Sequence, residues 1–142
     1  MKKLLYALIF IILDQFTKYL FTNKQYFSGF FQINYAQNTG AAFSILQGYS
    51  WLFIIISLGV VFFIFKYYKT IPVKLPLILI LSGTIGNLID RLFLGYVRDF
   101  IAISIWPVFN FADVFSCIGI FWLIYIFYTE EKTYKAQNHH KR

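Results

Sequence analysis

Only six residues of this sequence are acidic, and four of them, Asp14, Asp90, Asp99 and Asp113, are set in or beside long apolar runs. An ionised Asp at the centre of a bilayer-spanning helix costs about 2.5–3.5 kcal/mol even on insertion scales. Four of them on so apolar a chain imply a shared polar site. What else the sequence contains narrows the hydrolytic chemistry open to such a site. His139 and His140 are the only histidines and lie in the polar tail, so a Ser-His-Asp triad has no base near the aspartates. Cys117 lies within an apolar run with no base beside it, and a zinc site would lack His and Cys ligands. Paired carboxylates remain. Two held close together share a proton, so one can activate water while the other protonates a leaving amine.

Each aspartate also has a structural reading. Asp14 precedes Lys18 by one helical turn, a pair worth ~0.2–0.5 kcal/mol in water. Asp90 adjoins Arg91, as at a helix end where a long cationic side chain snorkels. Asp113 stands before an apolar run and can cap a helix. Asp99 adjoins Arg98, but neighbours in an extended segment face opposite ways. Glu130 and Glu131, beside lysines in the tail, are explained as a solvated cluster.

Four apolar stretches, residues 4–21, 51–65, 75–89 and 114–128, must position these groups. The 142 residues are 59 % hydrophobic, 23 % aromatic and only 13 % charged, a composition that would leave a soluble domain with apolar surface in water. Crossing ~30 Å of hydrocarbon takes about 20 helical residues. Flanking residues must therefore enter the membrane, which predicts spans over 4–21, 51–66, 75–91 and 112–128 in one membrane-embedded domain, 1–142. The first run resembles a signal peptide, but Asp14-Gln15-Phe16-Thr17-Lys18 follows it rather than a small-residue cleavage site, so it reads as a retained helix.

The net charge of +7 does not suggest nucleic acid, because the cations sort by loop rather than onto one face. Lys2, Lys3, Lys66, Lys69, Lys74, Lys132, Lys135, Lys141 and Arg142 fall on one side, against Lys18, Lys24, Arg91 and Arg98 on the other. By the positive-inside rule both termini are cytoplasmic and the aspartates face outward. The two outer connections, about residues 22–50 and 90–113, contain period-2 alternation at Phe31, Ile33 and Tyr35 and at Ile101, Ile103 and Ile105. That pattern predicts strands, which must pair with each other because lipid cannot satisfy an open edge. The tail, residues 129–142, reads as frayed. The expected class is an all-α membrane protein with four transmembrane helices, N-in/C-in.

Several short stretches line up in order: Asp14-Gln15-Phe16-Thr17-Lys18, Asn38-Thr39-Gly40-Ala41-Ala42-Phe43, Gly86-Asn87-Leu88-Ile89-Asp90-Arg91, Val97-Arg98-Asp99-Phe100 and Phe109-Asn110-Phe111-Ala112-Asp113. Together they resemble lipoprotein signal peptidase (signal peptidase II), the bacterial membrane aspartic peptidase family, over essentially the whole chain. The resemblance implies a peptidase of the inner (cytoplasmic) membrane, surrounded by membrane lipids and needing no cofactor. It would cut prolipoproteins just before a diacylglyceryl-modified cysteine. It also implies catalytic aspartates at Asp99 and Asp113, supported by Asp14, Lys18, Asn38, Gly40, Asn87, Asp90, Arg91 and Asn110. A small extracytoplasmic β-cradle and inhibition by globomycin are implied as well.

As hypotheses, Asn87 and Asn110 would orient carboxylates or substrate backbone, and Arg91 would grip a carboxylate or carbonyl. Gly40 would allow close backbone approach or form a turn, and Ala41 and Ala42 would leave room for small substrate residues. Two positions depart from the family pattern. Arg98 stands where an apolar residue is expected, and Val114 where serine is common; the 90–113 connection and the tail also look short. The rival readings are a small proton-coupled transporter and a structural subunit. Both fit poorly, because the aspartates gather on one side while the inner halves of the spans are nearly all Leu, Ile, Phe and Val.

Overall fold

The computed structural model describes residues 4–27, 29–41 and 45–139, with backbone alone for 133–139. Lys2, Lys3, Ala42, Phe43, His140, Lys141 and Arg142 lie outside the described residues, as do the side chains of Lys135 and His139.

Four helices carry the chain: α1 (Leu4–Phe21), α2 (Ser50–Tyr67), α3 (Leu75–Leu94) and α4 (Phe111–His139). All four are long and apolar enough to cross a membrane. In α1 the residues at heptad spacing, Ala7, Asp14 and Lys18, are buried, while Leu5, Leu8, Ile9, Ile12 and Phe16 are exposed. This reverses the pattern of a soluble amphipathic helix. It is stable where hydrocarbon, rather than water, meets the outer face. The chain is a multi-pass membrane protein.

α3 is the central helix and packs against α1, α2 and α4. Small residues bring α4 close to it. A side chain at Gly119 would sit 2.7 Å from the Pro76 carbonyl, and one at Gly83 would collide with the Ala112 carbonyl and Ser116. In lipid, where the hydrophobic effect does not drive helices together, such close backbone packing is a main source of association. Ala7, Ile64, Leu77, Ile78 and Leu81 form the buried apolar cluster toward the other end of the bundle.

A four-stranded antiparallel sheet, in the order β1 (Gln25–Tyr26), β2 (Phe31–Asn38), β3 (Val97–Ile103) and β4 (Trp106–Phe109), occupies the two long connections. β2 and β3 fall on the segments whose alternation predicted strands, and they pair with each other. Ile105 does not continue β3. It follows Ser104, whose φ of 43° turns the chain into β4, and it is 97 % exposed. α4 also departs from expectation. It runs on through 129–139 instead of fraying, because that segment contains no Gly or Pro and extends a helix already nucleated in the bundle.

The sheet is tied to the helices at specific points. α3 ends at Gly95, whose φ of 83° suits a residue without Cβ and whose N–H donates to the Arg91 carbonyl. β3 starts two residues later. The Ser50 hydroxyl at the start of α2 donates to the Gly95 carbonyl at 2.6 Å. Rings continue the connection: Phe21 stacks on Phe100 at 4.9 Å, and Phe111 and Phe115 extend the series to Phe10. Phe100 is almost fully buried, so β3 is anchored immediately beside Asp99.

Candidate active site

Asp99 and Asp113 arrive from different elements. Asp99 lies in β3 and is 2 % exposed. Its two oxygens accept from Asn110 Nδ2 at 2.6 Å and Asn38 Nδ2 at 3.0 Å. Asp113 lies in the first turn of α4. There Asn110, not Asp113, is the N-terminal cap: its Oδ1 accepts the Asp113 N–H at 3.1 Å. Asp113 returns the bond, one oxygen accepting the Asn110 N–H at 3.1 Å, a capping box with Asp in the Glu position. Its other oxygen accepts from Asn87 Nδ2 at 2.7 Å. Asn110 therefore touches both carboxyl groups and fixes each relative to the other.

Both aspartates line a cavity of about 360 Å³ together with Asn38, Gly40, Asn87 and Arg91. Phe53, Trp106 to Phe109 and Cys117 complete its apolar wall. A second space of about 420 Å³ shares Asn38, Asp99 and Trp106 with it and is edged by Gln37 and Gln47. Burial and the nearby Asp113 charge push the Asp99 carboxyl up to about 7. Asp99 thus holds its proton through the acid range and gives it up around neutral pH.

Behind the pair runs a line of alternating charge. The Lys18 ammonium lies 2.9 Å from Asp14, 3.5 Å from Asp90 and 2.8 Å from Asn87 Oδ1. Asp90 in turn accepts from the Arg98 guanidinium at 2.7 and 3.2 Å and from its backbone N–H at 2.9 Å. Asp14, Lys18 and Asp90 are almost completely buried. Asp14 also accepts the Ala112 N–H at 2.9 Å, capping α4 from another helix. Gly86 is necessary here, because a Cβ would come within 2.5 Å of Asp14 Oδ2.

Arg91, one residue from Asp90, is turned about 100° further around α3 by the helical spacing. It donates to the Gly40 carbonyl at 3.0 Å and lies over the Phe53 ring at 4.9 Å. The Gly40 N–H donates to Asn38 Oδ1 at 2.9 Å. A Cβ there would lie 2.8 Å from the Leu46 carbonyl carbon, so close backbone approach requires the glycine.

All ten residues singled out from the sequence are thus brought to one end of the bundle, in two connected shells. Sequence reasoning missed Gln15, which donates to Asp14 and to the Gly86 carbonyl and accepts from Arg98. It also gave Arg98 no partner, whereas Asp90 neutralises it and pushes its pKa up. Neither link has a sequence signal, since each joins segments more than seventy residues apart or turns on strand direction. Val114 donates its N–H to the Asn110 carbonyl as an ordinary helical residue.

A buried Asp99 and a half-buried Asp113 border one cavity where an apolar four-helix bundle meets a small sheet, an arrangement that suits a membrane aspartic peptidase. Known proteins narrow the class. The family model for signal peptidase II matches residues 6–129, and the chain belongs to that family of aspartic peptidases. The lipoprotein signal peptidase of Halothermothrix orenii is 44 % identical over 137 residues, covering 89 % of this chain and 94 % of the relative. That of Dehalococcoides mccartyi is 49 % identical over 111 residues, covering 72 % and 69 %. A solved bacterial membrane enzyme superimposes with a TM-score of 0.84 at 28 % identity, over 91 % of this chain and 88 % of the other. Membership in a peptidase family replaces the carrier and structural-subunit readings.

Proposed function

We propose that this chain removes the signal peptide from diacylglyceryl-modified prolipoproteins, using Asp99 and Asp113 to activate the attacking water. The observation that carries this reading is Asn110, whose bonds to both carboxyl groups hold them around one cavity. Asp113 takes a proton from water as the oxygen attacks the scissile carbonyl. Asp99 then gives its proton to the leaving amine as the carbon–nitrogen bond breaks. The two carboxyl groups end with the proton exchanged, and its return resets the pair. Arg91, Asn38 and Gly40 border the space a substrate backbone would occupy.

In this reading both termini are cytoplasmic, in accord with the nine cations of one side against four on the other. The chain lies in the bacterial inner membrane, the sheet forms an extracytoplasmic cradle, and the catalytic pair sits at the outer face. A signal peptide crossing the bilayer would present its cleavage point there. The apolar wall of Phe53, Trp106, Val108 and Phe109 suits the signal peptide and its lipid neighbours, and globomycin would compete for the same space.

The direct test is incubation of purified protein with a lipidated precursor and with the same precursor lacking diacylglycerol. Cleavage just before the lipidated cysteine, blocked by globomycin and absent without the lipid, is expected. Equal cleavage of both precursors would overturn the assigned substrate.

The raised Asp99 pKa gives a pH prediction. Above about 7 Asp99 in the free enzyme loses the proton needed by the leaving amine, so kcat/KM falls about tenfold per further pH unit. A pH profile with constant kcat/KM from 6 to 9 would contradict Asp99 as the acid.

A further inference from the structure

Arg98 is a half-buried charge that the proposed reaction does not use, on the face of β3 opposite Asp99. Its position completes a balance. Asp14 and Asp90 bring two negative charges into the bundle, and Lys18 and Arg98 bring two positive ones, alternating along the line. Charges taken out of water at this depth must be matched one for one. Lys18 pairs with Asp14 at 2.9 Å and donates to Asn87 Oδ1 at 2.8 Å, and it faces Asp90 only as a longer ion pair at 3.5 Å. Asp90 can leave Lys18 at 3.5 Å because Arg98 satisfies it with two guanidinium bonds and a backbone N–H.

The Lys18 bond is what orients Asn87. With Oδ1 held by Lys18 and Asn110, the amide can only turn Nδ2 toward Asp113. We infer that Arg98 is a positioning residue for peptide cleavage: by neutralising Asp90 it keeps Lys18 on Asn87, and through Asn87 it fixes the Asp113 carboxylate. Without the guanidinium, two buried carboxylates compete for one ammonium. Lys18 moves toward Asp90, and the hold on Asn87 loosens. Displacement of a reacting group by about an ångström can cost 10²-fold in rate. Gln15 keeps Arg98 directed inward through its 2.9 Å bond. The inference rests on Asp113 being catalytic.

The test compares Arg98→Gln, Arg98→Lys and the double variant Asp90→Asn/Arg98→Gln in steady-state cleavage of a lipidated precursor, with thermal unfolding in detergent as the folding control. Arg98→Gln is expected to lower kcat about 10- to 100-fold with KM within about threefold. Arg98→Lys should restore most of that loss. The double variant, which removes one charge of each sign and leaves Asp14 with Lys18, should be faster than Arg98→Gln alone. A side chain that merely supports the sheet predicts the opposite, with the two changes adding to each other. If Asp113→Asn is inactive while Arg98→Gln keeps the parent kcat, or while the double variant is no faster than the single, the inference fails alone. Should Asp113→Asn retain full activity, the catalytic reading beneath it fails first.

Discussion

Asp99→Asn and Asp113→Asn are each expected to lower precursor cleavage by about 10²–10⁴-fold or more, the range associated with a lost general acid or base. Each replacement keeps the shape of the side chain and removes its ability to exchange a proton. Asn at 99 can still accept from Asn110, and the Asn38 amide can turn to accept from the new NH₂ group. Asn at 113 can still accept the Asn110 N–H, so the cap on α4 is retained. Both variants should fold, losing at most the ~1–3 kcal/mol of one mismatched buried hydrogen bond. The double Asn variant should be scarcely slower than either single one, because residues that act as a unit are not additive. Cleavage rates on lipidated precursor, with detergent unfolding in parallel, check all three. A near-parental rate in either folded single variant would remove the pair from the mechanism.

Lys18→Met should cost the protein about 3–5 kcal/mol, the penalty for stripping a buried ion pair of one partner. Few positions in the chain should cost as much. Its ammonium is fully buried and touches Asp14, Asp90 and Asn87, whereas a lipid-facing residue such as Ile9 or Phe16 lies on the exposed side of the same helix. Methionine fills the volume but leaves Asp14 facing Asp90 with no cation between them. Asp14 also caps α4, so the disturbance reaches the helix that carries Asp113. Lower accumulation in membranes and a lower unfolding midpoint are expected, with Asp14→Asn/Lys18→Met recovering part of the loss by removing one stranded charge. A Lys18→Met protein as stable as the parent would mean that this cation is not balancing the two carboxylates.

The membrane class was legible because lipid imposes a simple rule on composition. Runs of apolar residues with few charges can only be helices in a bilayer, and α1 ends at Phe21 with its apolar run. The helices holding Asp90 and Asp113 extend past their strictly apolar cores, as the length needed to cross hydrocarbon requires. β2 and β3 were visible through their alternation. β1 and β4 were not, since two and four residues are too short to show a period.

Residue type and position along the chain marked four aspartates as the groups open to chemistry, and the motif resemblance added three asparagines and a few cations around them. How those groups are shared was decided only by tertiary packing. Asn110 serves as helix cap and as bridge between carboxyls, and Arg98 answers Asp90 rather than its neighbour Asp99. Such pairings follow from which faces meet when α1, α3, α4 and β3 close together and water leaves. Every buried charge and amide must then take the partner that geometry offers, whatever lies beside it in the chain.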